Sequence, residues 1–184
     1  TAGSIDYEGN DIAVVSGRAL KGYYRSVQGV FQDPFSSYNP IFKADHVFRM
    51  IRGVYFPGLP DAGWESRVEA SLQDVGLDPG QVLHKYPHQL SGGQLQRLLI
   101  ARALLLDIRL LVADEIISML DASTRIDVLN LLGDLKARGL RIAVGEDHAG
   151  VELRGVAMRK VRVFGEQRSV QRERRRVAQH RQAP

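Results

Sequence analysis

The segment from Tyr86 to Arg97 constrains the fold of this chain more than any other stretch of the sequence. Ser91 and Gln94 have the spacing of a capping box, in which the serine hydroxyl accepts from a first-turn amide and the glutamine accepts from the Ser91 amide. The pattern predicts a helix start. Capping gives no reason for Gly92 and Gly93, which each cost roughly 1 kcal/mol against alanine in a helix. Glycine allows close approach to the backbone, and free N–H groups at a helix N-terminus bind anions, so we expect a phosphate here.

Two further motifs follow the glycine segment. The first is Leu110–Glu115, and the second is Ser118–Asp121. Together with Leu90–Gln94, they resemble the Walker B, D-loop and signature motifs of ATP-binding-cassette (ABC) ATPases. The resemblance extends from about Gly3 to about Val144. It implies an α/β fold with a partial P-loop NTPase (RecA-like) core and an inserted helical signature subdomain.

The resemblance divides the chain into four parts. We expect the N-terminal strands and Q-loop of the core in residues 1–40, the helical signature subdomain in 41–94, and the rest of the core in 95–166. Residues 167–184 form a basic end, and nine lysines and arginines follow Met158 although the formal net charge is only +4. We interpret this end as solvated and partly disordered. The alternative is contact with nucleic acid or an anionic membrane surface.

The composition sets broad limits on the class of protein. The chain has 184 residues, of which 44% are hydrophobic and 25% charged, as in ordinary globular proteins. It has no cysteine, which excludes disulfides and thiolate metal sites. No apolar run reaches the roughly 18 residues of a membrane span.

The stretch Gly3–Ile12 is typical of a strand, a tight turn and a second strand. Apolar and polar residues alternate before Gly9, and Gly9 and Asn10 are typical turn residues. In the ABC family, such a hairpin follows a phosphate-binding loop of the form Gly-x-x-x-x-Gly-Lys-Ser/Thr. No such run occurs in the 184 residues. We expect the missing piece to lie immediately before Thr1, and we do not expect this chain alone to bind nucleotide.

A short apolar run, Val27–Phe31, ends at Gln32 and is followed by the turn-rich loop Asp33–Pro40. From the residues alone, Gln32 is a polar residue that ends a strand. The resemblance makes it the Q-loop glutamine, whose amide oxygen reaches magnesium and the attacking water. The resemblance also makes the following loop a contact with membrane domains. The sequence of this loop is similar to the form found in dipeptide and oligopeptide importers.

The pattern from Ile41 to Gln89 is helical, with breaks at Pro57–Pro60 and at Gly76–Gly80. These pieces suit the small subdomain that presents the signature motif. A further helix, from Gln94 to about Leu106, has apolar residues on most faces. We therefore expect it to be buried.

The run Leu110–Ala113 is typical of a central parallel strand that is covered on both faces. Asp114 and Glu115 follow it, at the end of the strand where ligands bind in open α/β sheets. Two unpaired carboxylates there would be costly as mere structure, so we favour a functional role. The resemblance assigns Asp114, as the Walker B aspartate, to Mg²⁺ together with Gln32. It assigns Glu115 to polarising the water that attacks the γ-phosphate.

Asp121 has two compatible interpretations. Its position predicts the N-cap of a helix that begins near Ala122 and is ended by Gly139. The resemblance also places it in the D-loop, which touches the opposite subunit.

The family has a switch histidine, followed by aspartate, after the next strand at Arg141–Val144. Direct alignment on Asp147 puts Glu146 at the histidine position, and a local shift would bring in His148 instead. We favour Glu146 because Asp147 anchors the alignment. Both interpretations stay open.

The leading hypothesis is the ATP-hydrolysing subunit of an ABC importer, acting on peptides with ATP and Mg²⁺ as cofactors. The resemblance implies a second ATPase subunit and transmembrane permease subunits as partners, and a location on the cytoplasmic face of the membrane. One alternative is an inactive cassette that supplies its signature to a partner's nucleotide. The other is a soluble, DNA-associated ABC ATPase, although we do not expect nucleic acid as a partner. The residues assigned to the nucleotide are Ser91, Gly92, Gly93, Gln94, Gln32 and Asp121.

Overall fold

The computed structural model of the chain describes residues 6–7, 9–113, 116 and 120–144. Its strands are β1 (Asp6–Tyr7), β2 (Asn10–Asp11), β3 (Val27–Val30), β4 (Leu110–Ala113) and β5 (Arg141–Val144). Its helices are α1 (Gly17–Ser26), α2 (His46–Tyr55), α3 (Asp61–Asp74), α4 (Pro79–Val82), α5 (Gly92–Leu104) and α6 (Ala122–Ala137), with a 3-10 turn at Pro87–Gln89. Helices packed with a parallel sheet confirm the predicted α/β class.

Strands β3, β4 and β5 form one parallel sheet with β4 in the centre, as the apolar run predicted. Val30 pairs with Ala113, which pairs with Val144, so the three strands end at the same edge. Alternate side chains of β4 are fully buried, and the others are only half-buried. We expected β4 to be covered on both faces. One face is fully covered, and the described helices cover the other face only in part.

The hairpin of β1 and β2 confirms the predicted strand, turn and strand, although Asn10, predicted as a turn residue, is the first residue of β2. Tyr7 pairs with Asn10, and Gly9 lies between them with φ +81°, in the left-handed region that glycine adopts at little cost.

Helix α1 follows the hairpin, and the sequence patterns above do not predict it. All of α1 is described, and it has no buried residue. Polar contacts hold it instead: Lys21 Nζ donates to the Val54 carbonyl at 2.5 Å, and Arg25 forms an ion pair with Asp107 at 3.3 Å. The guanidinium of Arg25 also lies 5.2 Å from the centre of the Phe56 ring. These contacts attach α1 to the end of α2 and to the turn after α5.

The first break between the helices lies where the turn residues predicted it, since residues 56–60 separate α2 from α3. The second is shorter than predicted, because α4 begins at Pro79, inside the expected break Gly76–Gly80; Gly76, with φ +66°, follows the end of α3. Asp78 then begins α4, and its side chain accepts from the Gly80 amide at 3.0 Å.

Helix α5 is buried along most of its circumference, as its sequence predicted. It lies within one hydrophobic cluster that includes Val30 and Leu111 of the sheet, and Trp64 and Val68 of α3. The helices α3 and α5 and the parallel sheet therefore share one core. The boundaries of the four parts proposed above stay a prediction.

Candidate functional site

The signature segment begins α5 with the capping box that its sequence predicted. Ser91 has an extended backbone, and its Oγ accepts from the Gln94 amide at 3.1 Å. Gln94 Oε1 accepts in return from the Ser91 amide at 2.9 Å. Ser91 is exposed to solvent, and amides in the first turn of a helix have no acceptor within the helix. This end of α5 thus combines an exposed hydroxyl with N–H groups that suit an anion.

The two signature glycines face different neighbours within the protein. An ideal Cβ built on Gly92 would lie 3.7 Å from Phe35 Cε2 and 3.9 Å from Leu120 Cδ2, which is ordinary contact. A Cβ on the buried Gly93 would overlap the methyl group of Thr124. The sequence argument assigned both glycines to an approaching phosphate. At Gly93, the group that approaches the backbone is a side chain of α6.

Asp121 is the N-cap of α6, as predicted. Its carboxylate accepts from the Thr124 amide at 2.9 Å, from the Ser123 hydroxyl at 2.7 Å and from the Thr124 hydroxyl at 2.8 Å. These hydrogen bonds, with that of the Thr124 amide the strongest, hold the pKa of the Asp121 carboxyl well below its usual range. The carboxylate is therefore charged at neutral pH, next to the signature segment.

Gln32 is exposed and lies beyond the end of β3, after one intervening residue, Phe31. The loop after it is ordered by Asp33, whose side chain accepts from the Phe35 amide at 2.9 Å and whose carbonyl accepts from the Ser36 hydroxyl at 3.0 Å. The buried Tyr38 hydroxyl lies 3.5 Å from the Leu95 carbonyl of α5. Burial raises the pKa of Tyr38, so it stays a neutral donor.

Arg102 is a second link between α5 and the strand that leads to Gln32. Its guanidinium donates to the Gly29 carbonyl of β3 at 2.9 Å. Burial lowers the pKa of Arg102, and the neighbouring Tyr38 opposes that shift. Arg102 lies among mostly apolar side chains of α5, and its hydrogen bond fixes this cation to the strand.

The structure brings some of the predicted site residues together. The signature residues 91–94 lie beside the cap at Asp121 through Thr124 and Leu120, and beside the loop after Gln32 through Phe35. Within the described part of the chain, Gln32 itself makes no hydrogen bond to Ser91 or Asp121. The predicted residues Asp114, Glu115, Glu146 and His148 lie outside the described residues.

Sequence reasoning missed the residues that connect these motifs, namely Phe35, Tyr38, Arg102 and Thr124. For Arg102 a signal existed, since a cation inside a helix with apolar residues on most faces has to find a buried acceptor. For Thr124 no local pattern indicates the contact, because its partner Gly93 is distant in the sequence.

A parallel sheet whose strands end at one edge, joined to helices that present a Ser-Gly-Gly-Gln capping box, is the arrangement of an ATP-binding cassette. Solved structures agree. A post-hydrolysis dimer of the cassette MJ0796, bound to ADP and Pi, aligns with a TM-score of 0.65 and 26% identity over 78% of this chain and 62% of that chain. The protein cbiO1 of Clostridium perfringens, which is part of the ABC transporter complex cbiONQ, aligns with a TM-score of 0.64. It is 25% identical, over 78% of this chain and 55% of that chain.

The sequence model of the ABC transporter family matches residues 1–118, and the chain belongs to this family. A protein of Brucella ovis, named for peptide import and ATP binding, is 39% identical over 83% of this chain and 48% of its own length. The oligopeptide transport ATP-binding protein OppF of Haemophilus influenzae is 36% identical over 76% of this chain and 42% of its own. The chain spans about half the length of the curated relatives it matches.

Across the described residues, no helix combines the length and the apolar character needed to cross a membrane.

Proposed function

We propose that this chain belongs to the ATP-binding subunit of an importer for peptides. The observation that carries the proposal is its identity of 36–39%, over at least three quarters of the chain, with proteins named for peptide import and oligopeptide transport. The loop Gln32–Pro40, whose sequence is similar to that of peptide importers, supports the same conclusion.

The signature segment is proposed to contact the nucleotide. The exposed Ser91 hydroxyl and the first-turn amides of α5 fit a phosphate group, which supports this role. We propose that this nucleotide is held by a second ATPase subunit, because the family resemblance implies that the signature serves the partner's nucleotide. ATP with Mg²⁺ supplies the phosphoryl group whose transfer to water releases the free energy for transport.

The catalytic residues are proposed to lie beyond the ends of the strands. Asp114 would hold Mg²⁺ with Gln32, because carboxylate and amide oxygens are suitable ligands for a hard cation. Glu115 would orient and polarise the attacking water. Support comes from the sequence order: these carboxylates directly follow β4, which ends at the same sheet edge as the strand before Gln32.

The permease is proposed to dock on the loop after Gln32 and on the adjacent face of α2. Five apolar side chains of this region are between 47% and 77% exposed, which is unusual for large apolar groups near one another in the chain. They are Phe31, Phe35, Ile41, Phe42 and Met50. Phe42 also stacks on His46, with ring centres 4.5 Å apart, so the surface is held in place before a partner arrives.

A second candidate function, an inactive cassette, is favoured by Glu146, which direct alignment puts where the family has the switch histidine. The chain would then supply Ser91, Gly92 and Gly93 to a partner's nucleotide and hydrolyse nothing itself. This candidate shares the signature contact with the first and differs from it in the role of the carboxylates.

Calorimetric titration of the 184-residue chain with ATP tests the nucleotide assignment. We expect no binding at micromolar concentrations, because the loop that neutralises most of the phosphate charge is not among these residues. Adding a complete cassette subunit should produce ATP-dependent association, which Ser91→Ala weakens. A 1:1 isotherm with the isolated chain would contradict the assignment.

The switch position separates the two candidate functions. In a version completed with a family phosphate-binding loop, Glu146 would repel the γ-phosphate by roughly 4 kcal/mol at 4 Å and an effective dielectric of 20. Such a penalty slows hydrolysis by about three orders of magnitude if it falls on the transition state. We expect slow ATP turnover that Glu146→His restores and His148→Ala leaves unchanged. Loss of turnover on His148→Ala, without gain on Glu146→His, would identify His148 as the switch.

Glu115→Gln is the matched control in the same completed version. It should preserve ATP binding and remove turnover, because an amide does not polarise water as a carboxylate does. Turnover at the parent rate would remove Glu115 from its proposed role, whatever the switch residue is.

A further inference from the structure

The start of α5 and the start of α6 meet at a contact that leaves no room for a side chain. Gly93 is buried, and a Cβ at that position would overlap Thr124 Cγ2. The same Cβ would lie 3.4 Å from both Thr124 Cβ and Thr124 Oγ1, so the threonine crowds the glycine with its whole side chain. The absence of a side chain at Gly93 is therefore what allows α6 to sit against the signature segment.

Thr124 has little freedom to turn away from Gly93. Its Oγ1 donates to Asp121 Oδ2 at 2.8 Å, and its amide donates to Asp121 Oδ1 at 2.9 Å. A β-branched side chain has few rotamers available in a helix. Rotation that moved the methyl group off Gly93 would also move the hydroxyl away from Asp121. The cap of α6 and the contact with Gly93 are thus tied to the same rotamer.

We call the contact between Gly93 and Thr124 the junction. The neighbouring Gly92 lies near two further segments. Its Cα faces Leu120, the residue before the cap, and Phe35 in the loop after Gln32. Leu120 is buried, and its carbonyl accepts from Arg125 Nη2 of α6 at 3.2 Å. Phe35 is half exposed, and its ring edge lies 3.7 Å from the position that a Cβ on Gly92 would take.

We propose that Thr124 is a positioning residue that acts through Gly93 to hold the signature segment and the Asp121 cap as one unit. The proposal rests on the proposed function, because it concerns how the segment assigned to the partner's nucleotide is oriented. In this arrangement, the signature N-terminus does not move independently of the start of α6. A movement of the loop that carries Phe35 reaches both segments together.

A set of variants of the full 184-residue chain tests this proposal. Gly93→Ala should lower the melting temperature by roughly 4 °C or more, because an added methyl group in a filled contact is destabilising. Thr124→Ser removes the clashing methyl and keeps the hydroxyl for Asp121, so Gly93→Ala with Thr124→Ser should recover most of the loss. Thr124→Val keeps the methyl and removes the hydroxyl, so the corresponding double variant should not recover. Gly133→Ala is the matched control, since a Cβ at that helical glycine of α6 meets nothing within 4 Å and should raise the melting temperature.

Amide hydrogen exchange, read by mass spectrometry, distinguishes positioning from general destabilisation. In Gly93→Ala, peptides covering residues 90–97 and 120–126 should both exchange several-fold faster, while those covering α3 keep their protection. In the double variant with Thr124→Ser, both segments should return to parent rates together. Should Gly93→Ala fail to fold, Thr124→Ser alone provides the test, because it loosens the same contact and should accelerate exchange in both segments.

Three results would overturn the proposal: acceleration in only one of the two segments, equal recovery with Thr124→Ser and Thr124→Val, or no acceleration in any variant. None of these measurements involves ATP. If the proposal about Thr124 and the junction is wrong, the transport proposal is therefore unaffected. If the ATP titrations contradict the nucleotide assignment, the proposal about Thr124 is unaffected.

Discussion

Helices α1 and α5 both pack against β3, but they are held by different interactions. Helix α5 begins at a satisfied capping box and buries eight of its residues. Helix α1 begins at Ser16, whose side chain makes no capping hydrogen bond among the described residues, and it buries none of its own. It is attached by Lys21 and Arg25, which reach over the surface to α2 and to the turn after α5. The motif proposed to face the nucleotide is thus carried by the helix that the core holds on most sides.

The difference in burial predicts the largest contrast between the two helices. Leu98 of α5 is fully buried, so Leu98→Ala should lower the free energy of unfolding by about 2–5 kcal/mol. Leu20 of α1 is only half-buried, and Leu20→Ala should cost about 1 kcal/mol or less. Urea unfolding of the two variants measures both values. Equal losses would show that α1 contributes to the core as α5 does.

The difference in capping predicts a smaller contrast between matched serines. Ser91→Ala removes a hydroxyl that accepts from the Gln94 amide, and it should cost about 0.5–2 kcal/mol. Ser16→Ala removes no capping bond and should stay within about 0.5 kcal/mol of the parent. The same unfolding measurements apply, and a comparable loss at Ser16 would mean that α1 is capped in solution.

The cap of α6, which sits on α5, predicts that stability depends on pH. The pKa of Asp121 is lower in the folded chain than in an unfolded one, where it is about 3.9. The stabilisation is therefore complete above that value and is lost as the pH falls through the folded pKa. Asp121→Asn keeps a capping oxygen without titrating. As the pH falls from about 7 to about 2, the parent loses this stabilisation and the variant does not. The melting temperature of the variant minus that of the parent should therefore increase by a few degrees. A constant difference over that range would contradict the assignment.

The ionic attachment of α1 predicts the smallest effect. Asp107 pairs with Arg25 at 3.3 Å and with Arg67 at 2.6 Å, and all three side chains are accessible to solvent. Asp107→Asn keeps a residue that tolerates the positive φ of this position, so the backbone is retained while the charge and one of the two acceptor oxygens are lost. The cost should be about 1 kcal/mol or less, and it should shrink as salt is added. A salt-independent loss would point to packing rather than charge.

The contrast between α1 and α5 also shows which parts of this fold a sequence reveals. The starts of α5 and α6, the end of α6 before Gly139 and the central position of β4 follow from local signals, namely caps and apolar runs, and were predicted. The end of α5 was predicted near Leu106, and the helix ends at Leu104. Helix α1 contains two glycines, Gly17 and Gly22, and few large aliphatic residues. Its stability depends on partners such as Val54, Phe56 and Asp107, which no local pattern connects to it.

The candidate site divides in the same way. The capping pairs at Ser91 and Asp121 could be predicted because both partners lie within three residues of each other. The contact between Gly93 and Thr124 could not, because it depends on how two helices pack. The assignments of Asp114, Glu115, Glu146 and His148 come from resemblance alone and stay predictions.

The parallel pairing of β3 with β4 has a consequence for how the chain acquires its structure during synthesis. About eighty residues separate Val27 from its partner Leu110, and all of α2 to α5 lies between them. Closing so long a loop costs entropy before any strand contact forms, so the intervening helices have to collapse first. At roughly 5–20 residues per second, a ribosome exposes β3 for several seconds before β4 emerges. During that interval, β3 offers two unpaired edges to any neighbouring chain.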